Sequence, residues 1–305
     1  MKCVLVTGAH GFLGRYAARC FKANGYRVIG IGYGQWPASE YGAFGIDEWL
    51  EAAVELGSLM TIASRPDVIV HCAGSGSVGF SINYPMQDFQ MTVQSTLAVL
   101  EYMRMVCPEA RLVYPSSAAV YGARPDLPIG EESPLAPVSP YGYHKLIAEK
   151  LCQSYSSSFG LTASVIRFFS IYGPELQKQL LWDACLKLEA GAGKAVQFFG
   201  TGRETRDWIH VSDGARLMYQ AAERGHGFSL LNGGSGSRTV NQDLLALVAG
   251  ELGSGAAVSF NCKEKEGDPR FYHADISRAL ALGWQPVVQL EQGVAAYVRW
   301  FREGR

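Results

Sequence analysis

What this chain lacks narrows it first. Its seven cysteines, at positions 3, 20, 72, 107, 152, 185 and 262, are odd in number, dispersed, and never spaced as CxxC. Neither a disulfide framework nor a cysteine zinc site is expected from that pattern. Cys3 and Cys72 fall inside apolar runs, where a free thiol behaves as a small hydrophobe, which points to a reducing cytoplasm. The six histidines form no ligand cluster and no HExxH, so no metal is expected. With 27 basic against 28 acidic residues, the net charge of -1 offers no field for nucleic acid, and no basic stripe carries interleaved aromatics. No apolar run is long enough to span a membrane, and Met1-Lys2 leads straight into an apolar strand without room for a signal peptide. There is no internal repeat and no low-complexity linker. What remains is a chain of 305 residues, long enough to bury a large core and to form two lobes.

Against these absences stands one dense signal. Thr7–Gly14 reads TGAHGFLG, preceded by the apolar, β-branched run Cys3–Val6 and followed by a helical stretch, Arg15–Asn24. Strand, glycine-rich turn and helix in this order open a dinucleotide-binding βαβ unit. Gly8 suits a tight turn, Gly11 leaves no side chain to block a pyrophosphate, and Gly14 lets the helix pack close to the sheet. The helix start at Phe12 and Leu13 offers free N–H groups to phosphates. The expected fold is therefore α/β, a Rossmann-type, doubly wound parallel sheet with a smaller, mixed α/β lobe.

The second strand, Arg27–Ile31, runs on into Gly32-Tyr33-Gly34. A NAD site places an Asp or Glu near this strand's end to take the adenine ribose hydroxyls. Gly32 occupies that region, and no acid appears before Glu40. No arginine stands at the strand end for a 2′-phosphate. His10 and Arg15 could approach such a phosphate or simply fill surface, and Tyr33 either covers the adenine ring or is a plain surface aromatic. The residues leave NAD against NADP open.

Further on, Tyr41–Asp47 reads as a loop and Asp67–Cys72 as a buried strand, which enters a turn of small residues, Ala73–Ser77. Cys72, Ala73 and Gly74 then lie where the strand's carboxyl end would meet the cofactor. The apolar spacing predicts one long helix over Met86–Val106, with Met91, Leu97, Leu100 and Met103 for core or subunit packing. Strands are expected at Arg111–Tyr114, Leu161–Phe168 and Phe228–Asn232, the last rejoining the first lobe, and a helix at Glu175–Leu188.

Ser116 and Ser117 follow the Arg111–Tyr114 strand, a good place for chemistry in an open α/β sheet. A proline-rich excursion then ends at Tyr141-Gly142-Tyr143-His144-Lys145, which opens a helix to about Ser157. Tyr141 and Lys145 are i and i+4 and share one helix face. Tyrosine titrates near pH ~10 and is a poor base at neutrality. A lysine one turn away, with the positive charge of an oxidised nicotinamide, would favour the phenolate. Ser117 could then hydrogen-bond the substrate oxygen that exchanges the proton.

Seven stretches carry a resemblance: TGAHGFLG at 7–14, DVIVHCAG at 67–74, SSAAVYG at 116–122, PYGYHK at 140–145, RFFSIYGP at 167–174, GTGRETRDWIHVSD at 200–213 and GDPRFYHADISRALALGW at 267–284. Over nearly its whole length the chain resembles the extended short-chain dehydrogenase/reductases of the nucleotide-sugar epimerase and dehydratase group. The resemblance implies Ser117, Tyr141 and Lys145 as the catalytic set, with Ser116 a helper at the cofactor and Lys145 also on the nicotinamide ribose. It implies that Arg206 grips a substrate diphosphate, assisted by Lys265 where an arginine is usual. Ser170 stands in place of an asparagine at the substrate phosphate, and Asp268 would bind the nucleoside ribose.

Departures narrow the reaction. Ala118-Ala119 stand where sugar 4,6-dehydratases carry an Asp-Glu pair, which argues against dehydration. Gly76 replaces a lysine usual in UDP-galactose epimerases, and Thr92 a usual asparagine. The resemblance thus implies C4 epimerisation of a nucleotide-diphosphate hexose with NAD, or with NADP, through a transient 4-keto sugar. The alternative is an NADPH-dependent reductase of a 4-keto-6-deoxy sugar nucleotide. A dinucleotide-binding domain is expected over 1–170, also receiving about 205–235, and a nucleotide-sugar-binding lobe over 171–204 and 236–305. A homodimer through the Met86–Val106 and Tyr141–Ser157 helices is implied as well.

Overall fold

Strand β1 (Cys3–Thr7) is buried at every residue, without the alternation of a half-exposed strand, because helices cover both faces of its sheet. The computed structural model describes residues 1–123, 128–263 and 270–304. In it β1 is an interior strand of a seven-stranded parallel sheet. The others are β2 (Arg27–Gly32), β3 (Glu48–Glu51), β4 (Val68–His71), β5 (Arg111–Ser117), β6 (Thr162–Phe168) and a seventh, Phe228–Gly233. From the far edge the order is the seventh strand, then β6, β5, β4, β1, β2 and β3. Phe228–Gly233 pairs with β6 and so brings the late chain back into the main sheet. The strand order reverses between β1 and β4, and such switch points open a crevice at the carboxyl ends where ligands bind.

The two faces sort by period two along each strand. Val4, Val6, Val28 and Val70 pack with helix α1 (Phe12–Ala23) and the Val211–Arg224 helix on one face. Leu5, Ile29, Ile69 and Leu112 pack with the Ser95–Val106 and Pro140–Phe159 helices on the other. Three two-stranded sheets lie outside the main one: Ser170–Tyr172 with Trp208–His210, Thr205–Arg206 with Thr239–Val240, and Ala195–Phe198 with Ala257–Phe260. A separate apolar cluster joins the Gln179–Ala190, Asn241–Leu252 and Leu290–Glu303 helices through Leu181, Leu245, Tyr297 and Phe301. Phe12, at the start of α1, packs against that cluster. The fold is the expected Rossmann-type α/β arrangement with small mixed sheets.

Three local expectations change. Ala38–Ala43 is a short helix rather than the start of a loop, and its Tyr41 packs edge-on and the following Phe44 at a tilt against Trp36. The predicted Met86–Val106 helix is an α-turn (Pro85–Phe89), a π-turn (Gln90–Gln94) and an α-helix from Ser95. Ser95 and Thr96 hydroxyls donate to the carbonyls of Met91 and Thr92, both at 2.6 Å. Side-chain hydrogen bonds inside the ladder are a known cause of such irregularities. Finally, the helix expected from Glu175 starts only at Gln179, because Glu175 takes a positive φ of 77° and Lys178 is extended. Among the described residues no helix is long and apolar enough to cross a membrane.

Candidate active site

The Gly loop sits at the carboxyl ends of β1 and β4. Gly8 has φ +63°, and a Cβ there would lie 2.7 Å from the Ala73 amide nitrogen, so only glycine fits. The Ala73 amide donates to Thr7 Oγ1 at 3.1 Å, and Thr7 Oγ1 meets His71 Nδ1 at 2.7 Å. The other ring nitrogen of His71 lies 3.2 Å from Thr96 Oγ1. Burial, with the Lys145 charge adding to it, pushes His71 down to about 3, so the ring is neutral and serves as a strut beneath the loop. Gly14 packs on the loop itself: a Cβ would come within 2.3 Å of the Gly8 carbonyl oxygen. Helix α1 follows from an exposed Gly11 with no side-chain cap. Its first amides carry the partial positive charge that suits a phosphate, so these residues fit a dinucleotide.

The end of β2 is aromatic. A Cβ on Gly32 would stand 3.0 Å from the Trp49 indole. His10 stacks on Trp36 with ring centres 4.4 Å apart, and its Nδ1 is 3.3 Å from the Tyr33 carbonyl oxygen. Arg15 lies over Trp36 and Phe44 and pairs with Glu175 at 3.7 Å. Glu175 also pairs with Arg19 at 3.2 Å. Tyr33 is exposed and its ring is open to a ligand. Cys72 is half-buried, and burial pushes its thiol up to about 12, which keeps it unreactive. Gly74, at φ +135°, places its missing Cβ 3.4 Å from Thr92 Oγ1, a buried hydroxyl without a partner.

The Pro140–Phe159 helix delivers the next group. Ser139 caps it through Gly142 N–H, Pro140 takes the first position, and the Tyr141 amide donates to Ser81 Oγ at 3.0 Å. A Cβ on Gly142 would lie 2.8 Å from the Ala119 carbonyl oxygen, so this helix start is pressed against the turn after β5. That contact brings Ser117 up against the Tyr141 side chain. Lys145 donates to the Pro115 carbonyl at 2.9 Å and lies over the Tyr114 ring.

The electrostatics differ from the i, i+4 expectation. Burial raises Tyr141 above the ordinary tyrosine value, with the Ser117 hydrogen bond pulling down and the Asp88 charge pushing up. Burial also pulls Lys145 down to about 8. In the protein alone desolvation therefore outweighs the neighbouring lysine, whose ammonium is turned to Pro115. Ser116 is not free to help: its hydroxyl donates at 2.5 Å to Glu149, which is itself paired with the buried Arg167 at 2.7 Å. The buried Asp88 and the half-buried His144 form a hydrogen-bonded pair beside Tyr141 that the sequence alone does not reveal. Its one sequence trace is a carboxylate inside an otherwise uncharged helical turn. Ala118-Ala119 form a tight turn and bring no acid or base to Ser117.

Of the substrate-side residues, Ser170 lies opposite Trp208 in the pairing of Ser170–Tyr172 with Trp208–His210, and its amide donates to the Asp207 carbonyl at 2.9 Å, one residue along the chain from Arg206. Arg206 donates to the Thr205 carbonyl at 2.9 Å. The chain from Arg270 runs alongside Thr205. Lys265 and Asp268 lie outside the described residues. No group of three or more His, Cys, Asp or Glu that could hold a metal occurs among the described residues.

Comparison with known proteins agrees with this geometry. A model described as the NAD dependent epimerase/dehydratase family matches residues 4–231. UDP-glucose 4-epimerase of Mycolicibacterium smegmatis is 30% identical over 98% of this chain and 98% of its own length. A UDP-glucose 4-epimerase of Thermotoga maritima, crystallised with UDP-glucose, superimposes with a TM-score of 0.89 at 25% identity, covering 99% of both chains. A UDP-glucuronic acid 4-epimerase of Bacillus cereus, crystallised with UDP-glucuronic acid and NAD, gives 0.87 at 25% identity over 99% of this chain and 100% of that one. The family match takes in the Gly loop, Ser117, Tyr141 and Lys145 together, and the chain is an enzyme of the NAD-dependent epimerase/dehydratase family.

Proposed function

We propose that the protein interconverts nucleotide-diphosphate hexoses at C4, using tightly held NAD. The observation that carries this reading is the placement of Ser117 against the Tyr141 side chain at the carboxyl edge of the sheet, with Lys145 one turn on and no carboxylate in the turn after Ser117. Bound NAD supplies a reversible hydride acceptor. Tyr141, as phenolate, takes the proton of the sugar 4-hydroxyl as C4 is oxidised, and returns it when C4 is reduced on the opposite face. Ser117 holds O4 throughout. Lys145, fixed by Pro115, supplies positive charge beneath the phenolate and a donor to the nicotinamide ribose. A placed proton-transfer group contributes about 10²–10⁴-fold.

For the sugar to present both faces, the 4-keto intermediate must turn about an anchored diphosphate. Arg206, Ser170 and Lys265 are assigned to that anchor and Asp268 to the ribose, with residues 171–204 and 236–305 forming the nucleotide-sugar lobe. The names of the relatives support a UDP-sugar.

The NADPH-dependent 4-keto reductase is the second reading, favoured by Gly32 in place of a ribose-binding acid. The Arg15–Glu175 pair weighs against it, because it engages the second cation that a 2′-phosphate would use. Mass identification of the copurified cofactor separates the two: NAD supports the epimerase, NADP the reductase. A homodimer is part of the proposal. Met86, Phe89 and Leu97 on one helical segment and Tyr143 and Ile147 on the next are all exposed, an apolar face of the kind that subunits cover.

A further inference from the structure

The turn after β4 has no side chain at Gly76, and another residue's charge fills the space. A Cβ built on Gly76 would lie 3.2 Å from Lys178 Nζ, the only neighbour within 4 Å. Lys178 comes from the segment before the Gln179–Ala190 helix, on the far side of the sequence. Among the described residues no hydrogen bond or ion pair to its ammonium is found. Lys178 is exposed, yet desolvation alone pulls it below the ordinary lysine value. A partly desolvated cation without an anionic partner is costly until an anion meets it.

The place of that ammonium is fixed by the turn it touches. Ser75 Oγ accepts from the Ser77 amide, Ser77 caps the Val78–Asn83 helix, and Ser81 on that helix accepts the Tyr141 amide at 3.0 Å. The Lys178 ammonium therefore rests on the element that positions the start of the Tyr141 helix, at the carboxyl end of β4 where open α/β sheets bind ligands.

We propose that Lys178 is a substrate-binding residue that holds an anionic oxygen of the sugar nucleotide, either the sugar-side phosphate or the carboxylate of a hexuronate. The inference rests on the nucleotide-sugar reading above. Gly76 is its complement: a side chain there would occupy the space of the ammonium, whereas once Lys178 is shortened of its charge a lysine at 76 has room to replace it.

The test is calorimetric binding of UDP-glucose and of UDP-glucuronate to the NAD-loaded wild type, Lys178→Met, and the double variant Gly76→Lys/Lys178→Met. A charge-assisted contact predicts an affinity loss of about 10- to 100-fold in Lys178→Met. Loss for both ligands assigns the phosphate; loss for the uronate alone assigns the carboxylate. Partial recovery in the double variant supports either assignment and excludes misfolding as the cause of the loss. Wild type that binds a sugar nucleotide, with Lys178→Met binding it equally well, overturns this inference alone. Wild type that binds neither of these, nor GDP-, CDP- or dTDP-glucose, overturns the nucleotide-sugar reading and this inference with it.

Discussion

Lys145 spends its buried ammonium on the main chain, donating to the Pro115 carbonyl at 2.9 Å rather than to the Tyr141 oxygen. Folding must therefore desolvate a charge that finds no carboxylate hydrogen-bonded to it. Its pKa falls from 10.5 to about 8 for that reason. Both folded and unfolded chains hold the proton below pH 8, so the penalty is complete there. It shrinks between about 8 and 10.5, where the folded state sheds the proton first.

Lys145→Met is expected to abolish turnover while changing stability in a pH-dependent way. Relative to wild type, the variant should lose about 3 kcal/mol of advantage between pH 7 and pH 10.5. Denaturant titrations at the two pH values measure it. An equal stability difference at both would mean that Lys145 is not desolvated.

Tyr141→Phe and Ser117→Ala should separate proton transfer from orientation. The first removes the acid–base group and is expected to lower kcat by about 10²–10⁴-fold or more with binding retained. The second removes one hydrogen bond to a charged oxygen and should cost about 10- to 100-fold in kcat/KM. Steady-state kinetics on a converted sugar nucleotide read both, and a Tyr141→Phe variant of wild-type kcat contradicts the assignment.

Gly8→Ala combines an αL backbone with a Cβ 2.7 Å from the Ala73 nitrogen. The loop must shift or the protein must carry the strain. A loss of about 2 kcal/mol or more is expected, together with loss of copurified nicotinamide cofactor. Thermal unfolding and cofactor content by mass spectrometry check the two halves. Full cofactor content in Gly8→Ala would show that the loop does not carry the pyrophosphate.

The exposed apolar helix face predicts a mass in solution of twice the 33.2 kDa chain. Ile147→Glu places a charge in the centre of that face and should give single chains by light scattering. Wild type running as one chain removes the dimer.

The parts legible in the sequence were those that depend on neighbours along the chain. TGAHGFLG declares a strand, a turn and a helix start because glycine at those spacings answers a local backbone demand. Tyr141 and Lys145 declare a shared face because a helix repeats every turn. The buried strands read through because parallel strands lose their alternation. What the sequence could not show depends on pairing across the fold. The Asp88–His144 pair joins residues 56 positions apart, and the engagement of Ser116 with Glu149 sets a nominal helper into a buried ion-pair network. Gly76 read as a missing cation, whereas Lys178 stands in the space it leaves. The i, i+4 rule likewise placed Lys145 on the right face, but the direction of its ammonium is set by the carbonyl at the end of β5.

The most direct test of the account follows a deuterium at C4. Wild-type protein with its copurified cofactor is incubated with UDP-hexose deuterated at C4, alongside Tyr141→Phe, and the products are read by nuclear magnetic resonance and mass spectrometry. The account predicts that wild type forms the C4 epimer with deuterium retained at C4 and no net change in cofactor, while Tyr141→Phe forms little or none. Reduction of a 4-keto sugar with stoichiometric NADPH consumption, and no C4 inversion across UDP-, GDP-, CDP- and dTDP-hexoses, would contradict it.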